Sequence, residues 1–377
     1  VESADFKPIV DACTLCDMCF LTKCPYVPPH EFNLDFPHLM LRYRAIEFKK
    51  GEIGLTTKEL TKTDRNGKLL GAVSPLANWA SDTSNSLTRG ALEMTTKVHR
   101  EAALPKFHKN SFVSLTEKHK PDVNEDAPAF GRKAVIYATC FVNYNNPDIG
   151  NSALSVLALN GVDTQVAYPS CCGMPQLEHG NIEEVAAAAK KVAAELKTFI
   201  DEGRDIIALT PSCALMLKFE WPLIVPDDAD VKALAASTYD IDEYVVDIAK
   251  KEGLTPGLKP LDGNVALHQA CHSRAQNFGQ KSAEMLNFIP DLSLHVIERC
   301  SGHGGSWGMM KDNFKTAIKV GKPAARQASK ASPKYVVSGC PLAGEHILQG
   351  IDFLGGSDKR PKNANHPIEI LAKAYNL

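Results

Sequence analysis

No stretch of this 377-residue chain approaches the roughly 18–20 consecutive apolar residues that a membrane span needs. Its first residues, VESADFKPIV, lack the basic-then-apolar order of a secretory signal, and the missing initiator Met is consistent with a fragment or a processed form. Net charge is small: −2 at neutral pH removes any global electrostatic argument for nucleic acid. No P-loop, H-E-x-x-H or G-x-S-x-G run occurs. The glycine-rich GHGGSWG (302–308) lacks the G-x-G-x-x-G order and lies beside Cys300, so its glycines are expected to let backbone approach a cofactor rather than bind a nucleotide. Cysteine is scarce by the standard of disulfide-stapled domains, with 11 in 377 residues. Nothing indicates an oxidising compartment, so a cytoplasmic location is expected, and clustered thiols there mean metal or redox chemistry.

The length exceeds the roughly 250–300 residues at which single cores stop growing, which predicts two or three domains. Residues 1–103 open with four cysteines in a turn-rich, Pro-bearing segment and continue in helical stretches over 37–51 and 74–100. The basic pairs of RYRAIEFKK (42–50) read as a solvated helix face, or as a docking face for an acidic redox partner. Residues 104–132 are polar and aperiodic and read as a linker. Beyond them, strand and helix alternate: strand over 133–140, helix over 151–161, strand over 163–173, a long amphipathic helix over 182–203, and strand over 205–217. The order then repeats, with strands over 264–274, 293–305 and 334–348 and helices over 281–288 and 315–330. The predicted class is α/β: a small helical N-terminal domain (1–103), the linker (104–132), and two duplicated βαβαβ domains with parallel sheets (133–262 and 263–377).

Cysteine follows the same repeat. Cys140, Cys172 and Cys213 are 32 and 41 residues apart, and Cys271, Cys300 and Cys340 are 29 and 40 apart, as an internal duplication would leave them. Each falls at or just past the end of a predicted strand, the edge at which open α/β sheets bind ligands. Cys171 adjoins Cys172 in YPSCCGMPQ. Buried filler cysteines would scatter, and a vicinal disulfide would be strained and opposed by a reducing cytosol, so the pair reads as two iron ligands. The N-terminal CTLCDMCFLTKCP places Cys13, Cys16, Cys19 and Cys24 in a C-x2-C-x2-C-x4-C-P spacing. Three thiolates two residues apart can wrap one face of a cube, which points to a ferredoxin-like [4Fe–4S] site. Either Cys24 completes that cluster alone, or an upstream cluster run is missing from this chain.

Cys140, Cys171-Cys172-Gly173 and Cys213 together resemble the cysteine-rich "CCG" domain. Tandem copies of it occur in the catalytic subunit of heterodisulfide reductase, in the iron–sulfur subunit of anaerobic glycerol-3-phosphate dehydrogenase, and in glycolate and lactate oxidase iron–sulfur subunits. The full motif of that family ends in C-x-x-C. Here Met216 stands at the last position of the first repeat, where it is expected to pack. In the second repeat, Ser301 replaces one cysteine of the pair and Ala343 the last. The resemblance implies an iron–sulfur cluster on Cys140, Cys171, Cys172 and Cys213. The second repeat keeps only Cys271, Cys300 and Cys340. Its outcomes stay open: a cluster with a labile iron, three thiolates with one imidazole, a site shared between repeats, or nothing bound. Zinc is the less favoured metal. His272 and His303 are candidate outer hydrogen-bond donors to the cysteine sites, and His268 is expected to pack in its strand.

The function these features imply is that of an iron–sulfur electron-transfer subunit, with Gly173, Gly302, Gly304 and Gly305 as N–H donors to sulfur. The implied partners are an FAD-linked dehydrogenase or oxidase, a diiron protein of the rubrerythrin type, or a quinone reached from the inner face of a membrane. Two other readings remain: a disulfide or thiol reductase acting at the CCG cluster, and a zinc-stabilised scaffold.

Overall fold

The computed structural model describes residues 3–19 and 24–377. Two parallel sheets organise the chain. The first has the order β2-β1-β3-β4, from β1 (Lys133–Tyr137), β2 (Asp163–Ala167), β3 (Asp205–Ala208) and β4 (Thr238–Asp240). The second has the order β6-β5-β7, from β5 (Val265–His268), β6 (Leu294–Ile297) and β7 (Tyr335–Ser338). The arrangement β2-β1-β3 recurs as β6-β5-β7, so the duplication read from the cysteine spacing is a duplication of topology.

Each sheet is covered on both faces, and β1 shows why the sequence permits it. Ala134, Ile136 and Ala138 turn to one core, Val135 and Tyr137 to the other, so a strand buried on both sides reads as a continuous apolar run. One core takes the long helix Ile182–Asp201, whose Val185, Ala189, Val192, Ala193 and Leu196 form a single buried stripe. The other runs on from the first sheet to the second through Pro147–Leu159, Ile241–Lys251, Lys281–Leu286 and the C-terminal helix Pro367–Tyr375. The helices Phe314–Lys330 and Pro341–Asp352 close the far face of the second sheet.

Several elements differ from expectation. The predicted strands are too long: β3 and β7 end at Ala208 and Ser338, and helices begin at Pro211 and Pro341, where proline suits the first turn. The stretch 74–100 is two helices, Ser74–Ser81 and Ser86–Thr96, broken at Asp82 and restarted by an Asn85 side-chain cap. Residues read as linker contain the helix Phe112–Thr116, and Phe112 is fully buried in the core beside Gly150. Strand β4 has no counterpart in the sequence reading. No helix among the described residues is long and apolar enough to cross a membrane.

Candidate metal centres

The three cysteine-bearing segments of each repeat leave the carboxyl ends of neighbouring strands. Cys140 is the first residue of the helix Cys140–Tyr144, after a Thr139 cap whose side chain accepts the Val142 N–H. Cys171 and Cys172 lie in the turn after β2, and Cys213 in the helix Pro211–Leu215 after β3. Because β1 lies between β2 and β3, the connections leave it in opposite directions, and the crevice of this switch point receives all four thiols. Cys171 Sγ is 3.7 Å from Cys140 Sγ, and Cys172 Sγ is 3.3 Å from Cys213 Sγ. Among the described residues no disulfide joins any of them.

The surroundings hold these groups in place. Trp221, fully buried, donates from Nε1 to the Cys172 carbonyl at 3.0 Å, and Tyr137 OH donates to the Ser170 carbonyl at 2.6 Å. Asp64, from the N-terminal helix Thr63–Ala72, accepts the Cys171 N–H at 3.0 Å and the Tyr168 hydroxyl. Contact with Cys171, followed by burial, pushes the Cys140 thiol well up, contact with Cys171 and then Cys213, followed by burial, does the same to Cys172, and contact with Cys140 and Cys172 draws Cys171 well down. Four thiols packed together, three of them buried, cannot all ionise beside one another without a cation to offset the charge. Two nearby hydroxyls, Ser170 Oγ and Thr210 Oγ1, are buried with no hydrogen-bond partner, and a third, Thr63 Oγ1, has only the Cys140 and Cys171 sulfurs beside it. Four sulfurs ringed by orphaned donors fit a metal–sulfur group as guest. The thiols stand as two touching pairs, and among the described residues no set of three or more His, Cys, Asp or Glu groups is ready-made for a single ion.

The second repeat reproduces the frame with fewer thiols. Cys271 begins the helix Cys271–Ala275, Cys300 follows β6, and Cys340 caps the helix Pro341–Asp352. Burial pushes all three thiols up, and for Cys271 the charge neighbours that follow are Cys16, Cys340 and Cys300. The Gly302 N–H donates to Cys300 Sγ at 3.3 Å, and the Leu342 and Ala343 N–H groups at the helix start bond the Cys340 sulfur. The loop of Cys340 abuts that of Cys213: a Cβ at Gly339 would stand 3.3 Å from Pro211 Cγ.

The N-terminal motif lies between the two repeats. Leu15 joins the core that holds Cys171, Cys172 and Cys213, and Cys13 packs against it, whereas Cys16 faces Cys271 and Cys300. Leu15 and Asp17, flanking Cys16, have left-handed backbone (φ 48° and 58°), a conformation that persists only when neighbours fix it. Part of that fixing comes from His272, whose Nε2–H donates to the Leu15 carbonyl at 3.1 Å. Arg44 supplies more, donating to the Val10 and Glu178 carbonyls at 2.7 and 2.8 Å and also to the Cys13 carbonyl. The Cys24 N–H bonds the Cys19 carbonyl at 2.9 Å, and residues 20–23 between them lie outside the described residues.

Other sequence readings resolve residue by residue. Met216 is fully buried in the core. His268 is buried with both ring nitrogens engaged, by Ser338 Oγ and the Arg299 carbonyl, each at 3.1 Å. His303 is buried three residues from Cys300, and its Nε2 bonds nothing. Arg44 of the basic stretch is a structural clamp rather than a solvated charge. Asp64, Trp221 and Arg44 escaped sequence reasoning, because each reaches its partner across more than thirty residues of chain and sits in no local motif.

Paired parallel sheets with thiols gathered at their carboxyl edges define a cysteine-rich protein suited to metal–sulfur chemistry. Residues 134–218 and 265–344 each match the family described as "Cysteine-rich domain" (CCG), so the chain carries two copies of that domain. Over 325 residues it is 26% identical to a subunit of the anaerobic glycerol-3-phosphate dehydrogenase of Escherichia coli, covering 84% of this chain and 76% of that protein. It is 27% identical over 252 residues to a subunit of the fumarate reductase (CoM/CoB) of Methanothermobacter marburgensis, covering 65% of this chain and 47% of that one. An iron–sulfur protein of Methanocaldococcus jannaschii is 27% identical over 270 residues, 69% of this chain and 51% of its own.

Proposed function

We propose that this chain is the iron–sulfur electron-transfer subunit of an oxidoreductase complex. Cys13, Cys16, Cys19 and Cys24 would hold a [4Fe–4S] cluster, Cys140, Cys171, Cys172 and Cys213 a second cluster, and Cys271, Cys300 and Cys340 a third metal centre. Bound iron–sulfur groups would supply one-electron transfer at potentials set by burial and by hydrogen bonds to sulfur. The residues' own part is to hold the thiols at the two sheet edges, exclude water from Cys171, Cys172 and Cys213, and aim N–H groups at Cys300 and Cys340. The observation that carries the reading is continuity: Cys16 faces Cys271, and the Cys340 loop abuts the Cys213 loop at Gly339 and Pro211, so the three thiol groups neighbour one another. Relatives that are subunits of a dehydrogenase and of a reductase support a redox enzyme as partner. The partner we propose is an FAD-linked dehydrogenase or oxidase or a diiron protein, with a quinone as a further acceptor at the inner face of a membrane.

Iron, acid-labile sulfide and zinc counts on anaerobically purified protein test this. Iron and sulfide in near-equal amounts, enough for more than one cluster, are expected. Cys171→Ser should remove one EPR signal and spare the N-terminal one. Zinc without sulfide, or a Cys171→Ser spectrum with every signal intact, would overturn the assignment.

A further inference from the structure

A cavity of about 360 Å³ opens between residues 102–108, the start of the helix Pro147–Leu159, and the helix Pro341–Asp352. No cysteine lines it. Four histidines do, and of these His303 and His346 are each more than nine-tenths buried with a ring nitrogen left unbonded, whereas the His366 Nδ1 accepts the Ile368 N–H. The His303 and His346 rings are neighbours, with centroids 5.9 Å apart and planes tilted by 55°. Neither Nε2 has a hydrogen-bond partner. Two orphaned imidazole nitrogens on neighbouring rings are costly, since each has left water without compensation. Burial pushes the His303 ring down to about 3 and lowers His346 too, so both are neutral, the form that binds metals.

The rings are also fixed as ligands would be. His346 bonds the Ala317 carbonyl. The neutral ring, its Nε2 unpartnered, can present that nitrogen's lone pair to an ion. A nearby backbone carbonyl is the kind of group that orients a metal-binding histidine. His303 is held through its backbone, whose carbonyl accepts the Gly308 N–H at 3.0 Å. An ion about 2.0–2.1 Å from each Nε2 would lie roughly 3 Å from each ring centre, and two rings sharing it at a tetrahedral or wider angle would stand roughly 5–6 Å apart.

From this geometry we infer a metal site separate from the cysteine centres, in which His303 and His346 bind one borderline divalent ion, of the zinc or nickel kind, through Nε2. Imidazole pairs suit such ions, whereas iron–sulfur groups draw on the thiols. Among the described residues no third His, Cys, Asp or Glu joins the pair, so water from the cavity completes the shell and the ion keeps open positions.

The test adds zinc alone to the anaerobic, iron-loaded full chain and removes the excess by gel filtration. About one zinc per chain should remain, and its X-ray absorption should show only nitrogen and oxygen neighbours at about 2.0–2.1 Å. His303→Gln and His346→Gln should each lower retained zinc at least tenfold while iron and sulfide counts stay unchanged. Those counts separate this site from the cysteine centres, whose failure would appear as lost iron. The inference is overturned if no zinc is retained and the orphaned nitrogens hold only water. It is equally overturned if zinc has sulfur neighbours at about 2.3 Å, or if both variants retain it fully. The spectrum of the unsubstituted protein decides the ligand type even where a variant folds poorly.

Discussion

Gly302 has a backbone φ of 80°, and a Cβ on it would collide with the Ala317 carbonyl oxygen and stand 2.7 Å from the Gly321 nitrogen. It lets the turn after Cys300 lie directly on the helix Phe314–Lys330. Gly203 has a similar φ of 75° and no heavy atom within 4 Å of the same position. The pair separates backbone strain from close packing. Gly203→Ala should cost only the left-handed penalty of about 1–2 kcal/mol, and Gly302→Ala about 2–4 kcal/mol because overpacking adds to it. Urea midpoints of the two variants measure this, and equal shifts would contradict it. The sequence placed these glycines beside a cofactor, yet their neighbours are protein: helix backbone for Gly302, Thr14 and Trp307 for Gly304, and Glu178 for Gly305. A glycine declares that something comes close, not what. Gly302 does serve sulfur as expected, donating its N–H to Cys300.

At the scale of elements, the alternation of strand and helix was legible because a strand buried on both faces and a helix with one apolar stripe differ in period. The ends were not, since ALTPSCALML is apolar but for Thr210 and Ser212 and only the proline marks where β3 has given way to helix. Residues 104–132 misled for the opposite reason. They are polar on average, and one side chain, Phe112, carries the packing. Phe112→Ala should therefore destabilise the protein by about 3–5 kcal/mol, as for a core phenylalanine, where a true linker residue would cost nearly nothing. A thermal or urea midpoint shift decides between them. Arg44 acts on the same scale, joining the helix Phe36–Lys49 to the end of Ser3–Ala12 and to Glu178 through three carbonyls. A lysine has no planar fork to serve them together. Arg44→Lys should raise amide exchange across residues 3–19 about ten- to a hundredfold and leave β1 and β3 protected. Uniformly faster exchange would mean that Arg44 supports the whole fold instead.

Taken whole, the molecule is an N-terminal segment wedged between two copies of one sheet, with thiols from all three parts meeting at their shared edge. That Cys140, Cys171, Cys172 and Cys213 come to one sheet edge was readable from their spacing. That Cys16 faces the second repeat was not, because it depends on contacts such as His272 with Leu15, 257 residues apart. The first repeat grips the segment from its side through His38. This ring bonds Glu220 at 3.0 Å through Nε2 and Asp35 at 2.6 Å through Nδ1, with Asp17 also facing the group. The hydrogen bond to Glu220, acting against burial, raises His38 to about 9. A histidine raised on folding contributes stability that is fully present below its unfolded value of about 6.5 and is lost as pH rises through 9. With the side chain 29% exposed, solvent screening reduces the contribution to about 1–2 kcal/mol. His38→Gln should therefore lower the urea midpoint at pH 6 and match the unsubstituted protein near pH 10. A gap of the same size at both values would show that the ring holds the N-terminal segment by shape and not by charge.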